Sequence, residues 1–507
     1  LRSIGHESKT GEAAAVEREM AALTEELDRV EAAIHTANPR YAALVKPRTL
    51  STAEIQRQLP GDGTTLLEYS LGRERSYLWA VTKNSLQAYE LPPRAEIEQT
   101  AQALTASLRM RPAGASRTAA ASSEKAAESE TLARRLSDML LRPVAAELRQ
   151  QRLLIVGDGA LNYVPFAALP APEMGREGEG EKGRRGVGGK RRRGEGERER
   201  RKSSILNPQS SILDPPSAIP LILRHEIVTL PSATTLAVLR RETADRAAPA
   251  KTVAILADPV FGRHDDRVAQ AKTKSDPLAQ NSAGERGANP PGKVKVAALE
   301  DLERGIKEGV LSGIVLPRLP FSRAEADAIE QTAPAGQAMK ALDFAASRDT
   351  ATSAELGQYR ILHIATHGLF NSRHPELSGL FFSLVNERGE ARNGLLGIRE
   401  IYDLQLPADL VVLSACDTAL GKEIKGEGVL GLTRGFMYAG ARRVVASLWK
   451  VNDASTAELM KRFYQGMLGE KKLSPAAALR EAQVSMWKEK RWQAPYYWAG
   501  FVLQGEW

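Results

Sequence analysis

Apolar residues in this chain gather in short unbroken runs bounded by polar or turn-forming residues. Leu153-Leu-Ile-Val156, Lys251-Thr-Val-Ala-Ile-Leu256, Ile361-Leu-His-Ile-Ala-Thr-His367, Leu410-Val-Val-Leu-Ser-Ala-Cys416 and Arg443-Val-Val-Ala-Ser-Leu448 have the length of strands buried on both faces. Helical patterns at Arg323 to Gln331, Val429 to Tyr438 and Ser455 to Leu468 alternate with them. That order predicts an α/β fold with a mostly parallel sheet flanked by helices.

Two other patterns precede it. Thr65 to Ser70, Ser76 to Val81 and Leu86 to Glu90 are short strand-like runs separated by turns, the mark of a small antiparallel meander. A helical stretch follows from about Ala95 to Gln150, interrupted between Pro112 and Ser123. At the start of the chain Val16, Met20, Leu23, Leu27, Val30 and Ile34 are spaced four, three, four, three, four, with Glu, Arg and Asp between them. This is an N-terminal helix with a narrow heptad seam, stopped by Asn38-Pro39, and its expected partner is another helix. The chain opens at Leu1 without an initiator methionine, as a fragment of a longer protein would.

Two runs carry candidate chemistry. One ends on His367-Gly368, the other on Cys416, the single cysteine in 507 residues. If each is one parallel strand, each delivers its last side chain to the carboxyl edge of the sheet, where open α/β folds build their sites. An imidazole there takes the thiol proton, and the thiolate is the attacking nucleophile. His363, on the same run, is expected deeper in the core, and His374 in a loop.

Charge changes the picture less than its total suggests. Of the formal +8, the stretch from Ala171 to Ser204 supplies +5, with 12 lysines and arginines against seven glutamates, nine glycines and almost nothing apolar. Such a segment cannot bury enough surface to offset its ordering entropy, and no aromatic residues are interleaved for base stacking. It reads as a disordered linker, with no nucleic-acid partner implied; residues 263–295 are read as a second linker. A lone cysteine excludes an intrachain disulfide or a thiolate metal cluster, and no apolar stretch has membrane-spanning length. A cytoplasmic protein without metal, cofactor or membrane association is expected.

The motifs also resemble a family. His-Ile-Ala-Thr-His-Gly, Leu-Val-Val-Leu-Ser-Ala-Cys-Asp-Thr, Gly428-Val-Leu-Gly-Leu-Thr-Arg-Gly-Phe436, Ala439 to Asp453 and the closing Trp498-Ala-Gly-Phe-Val-Leu are similar to a CHAT domain. Val164-Pro-Phe-Ala-Ala-Leu169 and Leu316-Pro-Arg-Leu-Pro-Phe-Ser-Arg-Ala-Glu325 fit its amino-terminal portion. This is the caspase-like peptidase family often fused to tetratricopeptide repeats. The resemblance implies a caspase-hemoglobinase-like sheet over residues 60–507, with an N-terminal portion 60–345 and a dyad-bearing portion 346–507, preceded by the helical segment 1–45.

It further implies a cysteine endopeptidase acting on protein or peptide substrates, with His367 as general base and Cys416 as nucleophile. The backbone N–H groups of Gly368 and Cys416 would form the oxyanion hole. The loop Trp449 to Asp453 would line the pocket for the residue before the scissile bond, where Asp453 would select a basic residue or else cap the helix beginning near Ser455. Asp417 would orient substrate or cap a following helix. The N-terminal helical region would join a regulatory protein partner.

Two alternatives remain open here. One is a CHAT scaffold without turnover. The other is a dinucleotide-binding domain, since Gly426, Gly428 and Gly431 satisfy G-x-G-x-x-G with Asp453 twenty-two residues beyond. About ten residues separate that motif from the preceding strand, whereas the fingerprint requires its first glycine to turn directly out of the strand.

Overall fold

The computed structural model describes residues 49–110, 119–148, 151–172, 219–275, 316–369, 378–414, 416–417, 428–449 and 452–507, together with Glu26 and Arg29, which are helical. The heptad residues from Val16 to Ile34, His374, Gly426 and most of the 171–204 segment lie outside these residues.

Helix α1, Thr52–Gln58, starts behind a capping box made by Ser51 and Glu54. Strands β1 (Thr64–Ser70), β2 (Ser76–Val81) and β3 (Leu86–Leu91) are the expected meander. Then come α2 (Arg94–Arg109), α3 (Ala119–Leu140), β4 (Arg152–Val156), β5 (Glu226–Leu230), α4 (Ala233–Thr243) and β6 (Lys251–Pro259). They are followed by α5 (Asp266–Ser275), α6 (Pro320–Thr332), β7 (Ala338–Asp343), β8 (Tyr359–Ala365), β9 (His367–Leu369), β10 (Gly379–Phe381) and β11 (Leu395–Gly397). The order continues with α7 (Ile398–Asp403), β12 (Leu410–Leu413), β13 (Cys416–Asp417) and α8 (Gly428–Ala439). Last are β14 (Arg443–Ser447), α9 (Asp453–Leu468), α10 (Pro475–Trp487) and β15 (Phe501–Gly505).

Eleven strands form one sheet in the order β3-β2-β1-β4-β5-β15-β14-β12-β8-β6-β7. Neighbours are parallel except within the meander and where β15 meets β14. The apolar runs work as two-faced strands. Ile361, Ala365, Leu410 and Val412 join one core with Ala326 and Ile329 of α6 and Leu459 and Phe463 of α9. Leu362, Ile364, Val411 and Leu413 join the opposite core with Ile401 of α7 and Leu432 and Phe436 of α8. Each fully buried aliphatic or aromatic side chain contributes about 1.5–3 kcal/mol. The result is the α/β, caspase-hemoglobinase-like architecture that the motifs imply.

One expectation is corrected. Residues 263–295 are not wholly a linker, because α5 lies inside them. Its polar sequence hid one anchoring residue: Arg267 reaches the carbonyl of Asp258 at 2.7 Å and the carboxylate of Asp343 at 2.8 Å, so ionic contacts hold a helix that has little apolar surface. In the ladder β6 and β7 pair beside β8, while β15 pairs with β5. Ala171 donates its N–H to the Ile219 carbonyl at 2.8 Å, so the described residues on either side of the basic segment meet.

Candidate active site

The two chemical runs do not end as single strands. β8 and β12 are register neighbours in the main sheet, from Ile361 opposite Leu410 to Ile364 opposite Leu413. Each then breaks, at Thr366 and after Leu413, and steps into a second, four-stranded sheet ordered β11-β10-β9-β13. The breaks fall at hydroxyl residues in otherwise apolar runs, and a buried hydroxyl must find a partner. Thr366 donates to the Phe381 carbonyl of β10, and Ser414 donates to Glu325 Oε2 at 3.2 Å. Glycine helps close this small sheet, because a Cβ on Gly379 would stand 2.5 Å from the Leu396 carbonyl oxygen.

In the second sheet β9 and β13 pair in parallel, with Cys416 opposite His367 and Asp417 opposite Gly368. Adjacent strands lie roughly 4.8 Å apart, so the two backbones meet at close range. His367 is 2% exposed. Its Nε2 lies 2.7 Å from the Pro317 carbonyl oxygen. A carbonyl only accepts, so Nε2 carries the proton, and in the neutral ring Nδ1 then holds the lone pair. Phe261 packs against the imidazole at 5.0 Å between ring centres.

Pro317 belongs to a segment held by a cluster of charges. Asp258, at the end of β6, is 0% exposed and receives Arg318 at 2.9 Å and 2.7 Å on its two carboxylate oxygens, with Arg323 at 2.8 Å. Asp343, at the end of β7, accepts from Arg267 and Arg323. Burial alone would raise the carboxyls of Asp343 and Asp265, but the arginine hydrogen bonds outweigh it and hold both below the usual range. The bond to Asp258 in turn raises the Arg318 guanidinium.

His363 has a different setting. It is buried on β8, with Nδ1 at 3.1 Å from the Tyr464 hydroxyl and Nε2 at 3.1 Å from Glu325 Oε1. The second approach is close enough for an ion pair but lacks hydrogen-bond alignment. Burial, with Glu325 nearby, drives the Tyr464 phenol well above its ordinary pKa. The core role expected for His363 is what this placement provides.

The remaining expected residues separate. Asp417 is the last residue of β13, and the next helix among the described residues begins at Gly428. Asp453 is the first residue of α9, and the capping side chain belongs to Asn452, whose Oδ1 accepts from the Ser455 N–H at 3.2 Å. Trp449 is 1% exposed and donates its indole N–H to the Tyr496 carbonyl at 3.3 Å, which makes it a core residue in this structure. Sequence reasoning assigned no role to Pro317, Arg318 or Asp258. The signal was the Leu316-Pro-Arg-Leu-Pro block, whose prolines restrain the chain without revealing which carbonyl meets a histidine.

With this geometry in place, comparison with known proteins settles the family. A model described as the CHAT domain matches residues 130–182 and 204–506. The chain belongs to the CHAT domain family. Tetratricopeptide repeat protein 28 of Homo sapiens is 40% identical over 111 residues, 22% of this chain and 4% of that protein. Its Mus musculus counterpart is 38% identical over 114 residues, with the same shares. This CHAT chain thus matches a small fraction of the length of these relatives. Among solved structures, a Saccharomyces cerevisiae separase-securin complex aligns over 93% of this chain and 31% of that one, at 8% identity and a TM-score of 0.45. The Arg specific cysteine proteinase gingipain R aligns over 73% and 68%, at 11% identity and a TM-score of 0.35.

Proposed function

We propose that this CHAT protein is a cysteine endopeptidase of the caspase-like type, with His367 as general base and Cys416 as nucleophile. The observation that carries the reading is the register of β9 and β13, which sets Cys416 opposite His367. Register partners project to one face of a ladder, the arrangement proton transfer between them requires. In the reaction Nδ1 of His367 takes the thiol proton and sulfur bonds to the substrate carbonyl carbon, forming a tetrahedral oxyanion. Collapse breaks the C–N bond as His367 returns the proton to the leaving amine. Water then attacks the thioester, giving up a proton to His367, and the free thiol and a carboxylic acid are released. The N–H groups of Gly368 and Cys416 are the oxyanion donors in this proposal, acting as charge develops.

The finer assignments belong to the same proposal. Residues 60–507 form one CHAT domain, and the helical segment 1–45 receives a regulatory protein partner; the repeat-containing name of the human relative supports such a setting. Asp453 favours Arg or Lys before the scissile bond, because a carboxylate at a pocket wall gains from a cationic partner. If Asp453→Ala cleaves basic and neutral substrates in the wild-type ratio, that assignment is lost.

A scaffold reading draws on one observation, the near-complete burial of His367. A peptidyl acyloxymethyl ketone carrying Arg, followed by intact mass, separates the two. The expected result is one adduct at Cys416 that His367→Ala abolishes. No adduct while iodoacetamide still alkylates Cys416, with the same result for probes bearing other residues, favours the scaffold.

A further inference from the structure

The proposed reaction makes no use of Asp258, although this carboxylate is wholly buried and engaged from several sides. It is the penultimate residue of β6, at φ 48°, a left-handed conformation that L residues other than Asn and Asp seldom adopt. Arg318 occupies both of its oxygens, and the residue before Arg318 is Pro317, whose carbonyl receives Nε2–H of His367. We infer that Asp258 and Arg318 are positioning residues for His367: their two-pronged ion pair aims the Pro317 carbonyl and thereby holds the imidazole with Nδ1 as the base. The inference rests on the dyad reading above.

The segment 316–319 belongs to no helix or strand, so its direction depends on what it is tied to. Two parallel N–H···O bonds fix a direction that one bond leaves free. The inner half of the tie is rigid. Arg323 bonds the same carboxylate, Arg267 holds the Asp258 carbonyl, and the Asp258 N–H donates to Ser322 Oγ at 3.0 Å. Arg318 is the adjustable half, with a side chain 43% exposed. Removing it leaves Asp258 paired with the other two arginines while freeing the Pro317 carbonyl to swing away from His367.

Because the chain has one cysteine, alkylation by iodoacetamide followed by intact mass reports Cys416 alone. The experiment compares this rate, with kcat and KM on an arginyl peptide, among wild type, His367→Ala, Arg318→Ala and Arg318→Lys. Arg318→Ala is expected to alkylate at a rate near that of His367→Ala and to lose about 10- to 100-fold in kcat with KM little changed. Arg318→Lys, which keeps the charge but not the fork, falls between. Wild-type alkylation and kcat in Arg318→Ala, or a raised KM alone, overturn the inference and leave the dyad standing. If His367→Ala itself alkylates at the wild-type rate, the dyad reading fails and the inference with it. Should Arg318→Ala unfold below assay temperature, Arg318→Lys decides: unchanged alkylation and kcat overturn the inference.

Discussion

The eleven-stranded sheet joins two parallel halves back to back. β1, β4, β5 and β15 run one way; β14, β12, β8, β6 and β7 run the other, with the antiparallel β14–β15 pair as the seam. Their carboxyl ends therefore lie at opposite edges. In the second half two strands step off at Thr366 and Ser414, carrying His367 and Cys416 into another sheet. In the first half β4 is followed by Gly157-Asp158-Gly159, where Asp158 accepts the Leu71 N–H at 2.7 Å and Arg94 at 3.0 Å. One edge opens into a second layer and the other satisfies its own polar groups. Equivalent architecture thus yields, among the described residues, a candidate site at one edge, so the chemistry follows from what happens after the strand ends.

The most severe way to break this contrast is to alter the proposed dyad. Cys416→Ala is expected to abolish peptide hydrolysis, and His367→Ala to lower kcat by about 10²–10⁴, the usual contribution of a general base. Both variants should leave the melting temperature within a few degrees of wild type. Hydrolysis that persists in Cys416→Ala would show that the open edge is not the site.

Acid offers a milder and two-sided test. Asp343 and Asp265 have lowered folded-state values against an unfolded Asp near 3.9. Their stabilisation is complete above the unfolded value and is lost as pH falls through the folded ones. Glu68, on β1 in the other half, is raised by burial. Its charged form is penalised, so the penalty is full above its folded value and disappears as pH falls below the unfolded one, near 4.3. Hydrogen exchange across pH 6 to 3 should therefore loosen amides around β6 and β7 before those of β1, and Asp343→Asn should flatten the first effect. Uniform loosening would remove this electrostatic difference between the halves.

How much of this was legible follows the same division. Unbroken apolar runs disclosed β4, β6, β8, β12 and β14, because burial on both faces leaves a continuous signature. The meander was legible from its turns. β5, β7 and α10 were not singled out, since Glu226-Ile-Val-Thr-Leu230 and Ala338-Met-Lys-Ala-Leu-Asp343 mix polar and apolar positions that only neighbouring strands explain. At the site, the sequence pointed to a histidine and a cysteine at strand ends but not to the change of sheet. Thr366 and Ser414 were the available sign, and a hydroxyl's partner cannot be read from a run that does not contain it. The Pro317 carbonyl and Arg318 were hidden for the same reason: their partners His367 and Asp258 lie 50 and 60 residues away in sequence.

The smallest expected effect sharpens the comparison from the closed edge. Asp158→Ala leaves the Leu71 N–H and Arg94 without their shared acceptor, while Arg94 retains the Leu71 carbonyl and Glu98. The loss should be about 1–2 kcal/mol of stability, because a part-buried donor is stranded but the guanidinium keeps other partners. Urea unfolding measures that loss directly. Hydrolysis parameters at saturating substrate should not move, because Asp158 follows a strand that points away from the edge carrying His367. A fall in kcat without a matching fall in stability would mean that the two edges communicate through the seam at β14 and β15, and the closed edge would then be part of how the open one works.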